Sequence, residues 1–170
     1  MPRTSLRVAA AALVVAMVPA LSACSTGQNA ATTTQQPSGN GSSANLGPLQ
    51  LRGVTIVTGG DQPVGTVIGT IVNTSTDPDV LTGVSITAPS GATATIVGGA
   101  SADGQLALPP RTPIQIGYQG SEHIDLSGFR IDPSAYADVV FTFEKAGTVN
   151  VPVMSVPATG IYAGLGPFAG

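Results

Sequence analysis

The closing part of the chain alternates apolar and polar residues with the two-residue period of a β-strand. Residues 139–143 and 149–153 each carry Val or Phe at every second position, so each predicts a strand with one apolar face. Residues 145–147 suit a three-residue turn between them, in which Gly147 supplies the positive φ. Pro152 has no N–H to donate, which predicts that the second strand lies at a sheet edge or ends its ladder there. This β-hairpin needs an opposing layer, since an isolated hairpin is marginal in water.

Shorter apolar runs, separated by Gly, Pro, Asn and Asp, precede the hairpin at a spacing of roughly 8–12 residues, which is typical of all-β domains. They predict strands within residues 49–51, 54–56, 64–72, 80–86, 92–97, 105–108, 114–118 and 123–126. The phase of alternation changes at Gly53, which predicts a β-bulge. Residues 64–72 are apolar on both faces, as in an interior strand, and residues 134–136 suit one helical turn. We therefore predict an all-β fold, an antiparallel β-sandwich of about nine short strands.

The composition agrees with this fold and narrows the range of partners. The chain has 22 Gly, 14 Pro, 9% charged residues and no Trp, which is typical of a small domain with many turns. Its six Lys and Arg and nine Asp and Glu give a net charge of −3; without Arg3 and Arg7, four basic residues face nine acidic ones. This balance argues against nucleic acid as a partner, because a phosphate-binding surface needs clustered Lys and Arg. A polybasic membrane patch is excluded for the same reason.

The N-terminus predicts a targeting segment. Arg3 and Arg7 precede an apolar run over residues 8–20, which is too short for an ordinary membrane-spanning helix. The following Leu-Ser-Ala-Cys, residues 21–24, resembles a bacterial lipobox, in which the Cys receives a diacylglyceryl group and the signal is cut before it. The alternative is an ordinary cleaved signal peptide with an incidental Cys24. Lipidation would hold the protein on the extracytoplasmic face of the cell membrane, because more than one acyl chain anchors stably.

Cys24 is the chain's single cysteine, so no intramolecular disulfide can form, and acylation would remove the thiol from chemistry. The sequence then divides into four segments. Residues 1–23 are the lipoprotein signal peptide. Residues 24–48, which are polar and uncharged, are a flexible linker with an r.m.s. span of roughly 25 Å. Residues 49–154 are the β-sandwich domain, and residues 155–170 are a Gly/Ala/Pro-rich apolar tail that is either disordered or docks as an extended segment.

Several stretches of the domain resemble the periplasmic copper-chaperone family called PCuAC, and more closely its actinobacterial, LpqE-like lipoprotein branch. The stretches that carry the resemblance are residues 67–73 (VIGTIVN), 81–85, the turn at 103–104, His123, and 141–151 (FTFEKAGTVNV). The resemblance implies a cupredoxin-like β-sandwich and a role in copper handling rather than catalysis.

The metal ligands of that family are only partly present. Its copper-carrying members hold Cu(I) with two His and two Met from two loops, because soft thioethers and imidazole suit a soft ion. The family's His-x-Met corresponds here to His123 and Asp125, and the first loop corresponds to residues 96–100 (IVGGA), which offer no ligand. After the signal peptide there is no second His and one Met, Met154. We therefore expect no resident cofactor; copper would need ligands from a partner molecule.

His123 and Asp125 share one face of a strand because they are two residues apart. With Glu122 they form a site that would hold a divalent cation weakly. The alternative is a surface histidine on an edge strand with solvated carboxylates. Asp77 and Asp79 are interpreted as turn formers, since a calcium loop needs more oxygen ligands at regular spacing.

Enzymatic activity is not predicted. The single His has no nucleophile-elbow partner, and Gly98-Gly99 has no following helix to cradle a phosphate. Two hypotheses of function remain. The first is a non-catalytic envelope accessory protein that binds another envelope protein; the second is metal handling by His123 together with a partner's ligands.

Overall fold

Ten β-strands and one short 3₁₀ helix make up the described part of the chain. The structure is a computed structural model, and it describes residues 41–59, 61–88, 92–97, 104–117, 122–128 and 130–167, all of which belong to one unit, residues 37–170. The strands are β1 (Ser42–Leu46), β2 (Leu49–Thr58), β3 (Val64–Asn73), β4 (Asp79–Ala88), β5 (Thr93–Val97), β6 (Leu106–Leu108), β7 (Pro113–Ile116), β8 (His123–Ser127), β9 (Tyr136–Phe143) and β10 (Gly147–Pro157). The 3₁₀ helix is Gly160–Tyr162. The predicted all-β fold is confirmed, with ten strands where about nine were expected.

The strands form two layers that are joined through β10. One layer has the order β5-β8-β3-β2, with β1 on β2 and β7 on β3, and the other has the order β10-β9-β4-β6. The first part of β10 pairs antiparallel with β9. Its last residues, Ser155 to Pro157, then pair parallel with Ile56 to Thr58 of β2. This parallel pair departs from the expected antiparallel pattern because the direction of β10, fixed by β9, coincides with that of β2.

The core lies between the layers and follows the alternation of the sequence. Val139, Phe141 and Phe143 are 0%, 1% and 3% exposed, whereas Thr142 between the two rings is exposed. Ile124 of β8 belongs to the same hydrophobic cluster, so both layers contribute to it. Each large side chain buried in this way stabilises the fold by about 1.5–3 kcal/mol. The predicted apolar face of the hairpin is confirmed.

Two glycines take the positions that the sequence assigned to them. Gly147 has φ 90° and closes the turn between β9 and β10. Gly53 has φ 61°, and the pairing of β2 with β3 shifts between Arg52 and Thr55, which confirms the predicted bulge.

Pro152 lies before β10 reaches β2, and its carbonyl accepts a hydrogen bond from Ser42 Oγ. Its missing N–H therefore costs the β2–β10 ladder nothing.

The domain extends beyond both predicted boundaries. β1 lies in the segment predicted as linker, and the prediction is wrong for residues 42–48. Its sequence is mostly small and polar, but Ala44 and Leu46 pack against the core while the strand pairs with β2. At the other end β10 continues to Pro157, so the tail prediction is wrong for residues 155–157, where the parallel ladder forms.

The helical turn predicted for residues 134–136 is absent from the described residues. Ser134 has φ 68°, and Tyr136 begins β9. The loop is instead tied to β10: Ser134 N donates to Ser155 O at 2.8 Å, and Ser155 Oγ donates to Asp132 O at 2.6 Å. Ala135 N donates locally to Asp132 O at 3.1 Å, and the long-range bonds to Ser155 fix this single turn against β10.

The predicted signal peptide, the lipidation of Cys24 and residues 24–40 of the linker lie outside the described residues. The same holds for residues 98–100 of the first family loop and for the turn at Asp103.

Candidate functional site

β8 places His123 and Asp125 on one face, as their spacing predicts. Ile124 and Leu126, which alternate with them, are 0% and 1% exposed in the core. The side chains of His123 and Asp125 are 19% and 30% exposed, and His123 Nε2 lies 3.8 Å from Asp125 Oδ2. We call these two residues the β8 pair. Its imidazole and carboxylate can attract each other when the ring is protonated.

β8 is an interior strand, so the expectation of a histidine on an edge strand is wrong. It pairs with β3 on one side and β5 on the other. Asp125 lies between Thr66 of β3 and Thr95 of β5, and the buried Thr66 Oγ1 donates to Ile124 O at 3.0 Å. The sequence could not show this, because β5 and β8 are separated by a long stretch of chain. Neighbours on both sides hold the β8 pair in place.

The segment that leads into the first family loop lies directly beside the β8 pair. Val97 is opposite His123, and Ile96 is opposite Ile124. The two segments that the resemblance assigns to copper binding are therefore adjacent in this fold. Ile96 is 8% exposed and belongs to the core, and Val97 offers only hydrocarbon.

The metal-ligating side chains near His123 do not fit the Cu(I) site of the PCuAC family that the sequence resembles. In the described ranges no group of three or more His, Cys, Asp and Glu lies close enough to hold a metal ion. Met154 lies on β10, in the other layer, where it is opposite Tyr136 of β9. Glu122 uses its backbone carbonyl to accept the N–H of Gly117 at 2.9 Å. One imidazole and one carboxylate are the donors of a borderline or hard cation rather than of Cu(I).

A second polar cluster, which the sequence did not predict, lies where the β3–β4 loop meets the hairpin turn. Asp79 is 6% exposed, and its carboxylate accepts the N–H groups of Val80 at 2.7 Å, Lys145 at 2.9 Å and Ala146 at 3.0 Å. Lys145 Nζ donates to Pro78 O at 2.7 Å. We call Asp79 with these donors the hairpin anchor. Asp79 was interpreted as a turn former, and it also fixes a turn 66 residues further along the chain.

Asn73 completes this cluster from the end of β3. It is 0% exposed; its Nδ2 donates to Asp77 O at 2.8 Å and Leu108 O at 3.0 Å, and its Oδ1 accepts Ser75 N at 3.0 Å. A cleft of about 210 Å³ opens beside these residues. Asn and Asp at loop ends commonly bond to nearby backbone, and the stretch 73–79 (NTSTDPD) carries this local signal. It does not reveal the bonds to Lys145 and Ala146.

No helix within the described residues is long and apolar enough to cross a membrane. This finding leaves the predicted attachment through Cys24 untouched.

Solved structures with the same fold come from PCuAC domains. The chain is similar to the copper-bound PCuAC domain from PmoF2, with a TM-score of 0.59 and 20% identity over 68% of this chain and 97% of that domain. It is similar to the apo PCuAC domain from PmoF1, with a TM-score of 0.60 and 21% identity over 68% and 98%. The apo PmoF2 PCuAC domain matches with a TM-score of 0.57 and 19% identity over 70% and 97%.

At such identities the likeness shows the fold alone, and that fold is the PCuAC-like, cupredoxin-like sandwich that the sequence predicted. No protein-family profile and no curated protein sequence matches the chain.

Proposed function

We propose that this protein is a lipid-anchored, extracytoplasmic accessory protein of the cell envelope, of the LpqE-like branch, which uses a PCuAC-like domain to bind a partner rather than to carry copper. Two features support the proposal: the fold shared with PCuAC domains and the lipobox-like residues 21–24 that follow an apolar run. Catalysis has no part in it. The single His of the sequence has no nucleophile-elbow motif as a partner.

One observation carries this proposal: the donor set beside the family's first loop. His123 is followed by Asp125 where the copper-carrying family has Met, and the neighbouring Ile96 and Val97 are hydrocarbon. Cu(I) prefers thioether and imidazole ligands over carboxylates. A domain with one such imidazole and no thioether beside it is poorly suited to holding Cu(I) alone.

A Cu(I) competition titration tests the proposal. We expect the purified full-length chain to yield Cu(I) completely to a chelator of moderate affinity, and to carry no copper when purified from copper-supplemented cells. One tightly held Cu(I) per monomer that survives His123→Ala would overturn the proposal, because it would require ligands outside the β8 pair.

Membrane attachment is tested at Cys24. Wild-type protein is expected in the membrane fraction with an acylated Cys24 as its first residue, whereas Cys24→Ala is expected to be uncleaved or shed. Mass spectrometry of the mature N-terminus identifies the acyl group. An unmodified Cys24 in membrane-extracted protein would refute the anchor and support an ordinary signal peptide.

A second function, metal handling with ligands from a partner, is favoured by the geometry of the β8 pair. His123 and Asp125 lie on one face and are 19% and 30% exposed, so a partner's side chains can reach a metal that they bind. Crosslinking the protein in its membrane with and without added copper distinguishes the two functions. A partner captured only with copper supports metal handling, and a partner captured equally in both supports the accessory role.

A further inference from the structure

A row of polar side chains crosses three strands on the outer face of the β2–β3–β7 region. The strand register places Arg52 of β2 opposite Thr70 of β3, and Thr70 opposite Gln115 of β7. The row lines a groove of about 300 Å³, a size at the lower end of roughly 300–1,000 Å³ that small-molecule sites occupy. The β8 pair is not part of this groove.

Arg52 gives the row a fixed positive charge. Its Nη1 donates to Ala44 O at 3.1 Å and Leu51 O at 2.8 Å, and its Nη2 donates to Asn45 Oδ1 at 2.7 Å and Gln50 Oε1 at 3.0 Å. All four acceptors are uncharged, so they orient the guanidinium without neutralising it. No carboxylate of the described residues lines the groove or forms an ion pair with Arg52. Four of the five N–H donors of Arg52 are taken by these acceptors, so an anionic group in the groove would meet the unneutralised charge of Arg52 and its remaining Nε–H.

The other wall of the groove is apolar. Ile68 of β3 lies two residues before Thr70, and the segment after β10 adds Ile161 and Leu165. Ile161 is 83% exposed, which leaves a large aliphatic side chain in water beside the groove. Gly117 also lines it, and a Cβ there would meet only Ile68 Cγ2, at 3.8 Å. Space for a ligand thus remains above Gly117.

We infer that this groove binds a single-chain fatty carboxylate, with its carboxylate on the Arg52–Thr70–Gln115 row and its first methylenes against Ile68, Ile161 and Leu165. Charge complementarity selects the head group, since a cation without an acidic neighbour favours an anion over an alcohol or an amine. The apolar wall selects a hydrocarbon chain. The size of the groove limits the enclosed part of the ligand to a short or medium chain.

The test is a calorimetric titration of the full-length chain with decanoate below its micelle concentration, with decanol and decyltrimethylammonium as probes of the same chain length. Decanoate is expected to bind at least tenfold more tightly than either. Shortening the chain is expected to weaken binding about three- to fourfold per methylene, as burial of a methylene group predicts. Equal affinity for the three head groups would overturn the inference.

Three variants and two controls locate the site. Arg52→Gln should remove the preference for the carboxylate, Ile161→Ser should flatten the dependence on chain length, and Gly117→Leu should block binding by filling the groove. Arg130→Gln, which changes an exposed arginine outside the groove, and Tyr136→Ser, which changes a large side chain 63% exposed on the other layer, should bind decanoate like the wild type.

Arg52 also bonds to β1, so Arg52→Gln could weaken the pairing of β1 as well as ligand binding. Gly117→Leu tests the groove without changing Arg52. Unchanged decanoate binding by a folded Gly117→Leu would refute the site. Anionic and neutral phospholipid vesicles form the last arm. Binding to anionic vesicles without binding to monomeric decanoate would also refute it, because it would assign Arg52 to a membrane surface.

Discussion

Two carboxylates of this domain, Asp79 in the hairpin anchor and Asp125 in the β8 pair, have opposite surroundings. Asp79 is 6% exposed and accepts three backbone N–H groups, whereas the side chain of Asp125 is 30% exposed and lies 3.8 Å from an imidazole nitrogen. The sequence suggested chemistry for Asp125 and a mere turn for Asp79. The difference shows that spacing identifies residues that share a face, while burial and bonding decide how much the fold depends on them.

The largest effect is expected in the core beneath the hairpin anchor. Phe143→Ala removes a ring that is 3% exposed and should lower the free energy of unfolding by about 3–5 kcal/mol, because a cavity remains. Thr142→Ala, on the exposed face of the same strand, is the matched control and should change it by less than about 0.5 kcal/mol. Chemical denaturation measures both. A midpoint lowered no more by Phe143→Ala than by Thr142→Ala would contradict the burial of the Phe143 ring.

The second largest loss of stability is expected in the hairpin anchor itself. Asp79→Ala removes the shared acceptor of Val80, Lys145 and Ala146 and should cost about 2–3 kcal/mol, since hydrogen bonds to a charged group are stronger than neutral ones. Asp77→Ala removes an exposed carboxylate two residues away and should cost less than about 0.5 kcal/mol. Amide hydrogen exchange at Lys145 and Ala146 should accelerate only in Asp79→Ala. Unchanged exchange there would show that the turn forms without the anchor.

The β8 pair should give the smallest effect on stability. His123→Ala is expected to cost no more than about 1 kcal/mol, because its contact with Asp125 is partly exposed and joins atoms 3.8 Å apart. The same change should abolish a weak binding of Zn(II) or Cu(II), because it removes the only imidazole of the pair. Asp138→Ala, which removes a carboxylate of β9 elsewhere on the surface, should leave metal affinity unchanged. Calorimetric titration measures the Zn(II) affinity of each variant. Zn(II) binding retained by His123→Ala would place the ligands elsewhere.

Local pattern was sufficient to predict much of the fold. The faces of β9 and β10, the turn at Gly147 and the bulge at Gly53 depend on residues close in sequence, and all are confirmed. β1 escaped prediction because its stability comes from pairing with β2 and not from its own composition. The parallel contact of Ser155 with β2 escaped for a related reason: hydrophobic alternation does not reveal the identity of a neighbouring strand.

The candidate site could be predicted only in part for the same reason. The shared face of His123 and Asp125 follows from their spacing, but their position between Thr66 and Thr95 depends on how distant strands assemble. The polar row begins at Arg52, which no motif identifies, because its three members belong to three different strands. Sites built across a sheet become visible only when the register is known.

The joining of both layers by β10 also sets the timing of folding. The sandwich cannot close until Ser155 to Pro157 reach β2, whose paired residues lie about a hundred positions earlier in the chain. Contacts so distant in sequence slow folding, because loop-closure entropy is lost before they form. A chain made from its N-terminus therefore holds β2 without its parallel neighbour until synthesis has passed residue 157. Until then residues 56–58 of β2 are paired with β3 on one side only, and their other edge stays open to any factor that binds unfinished β-strands.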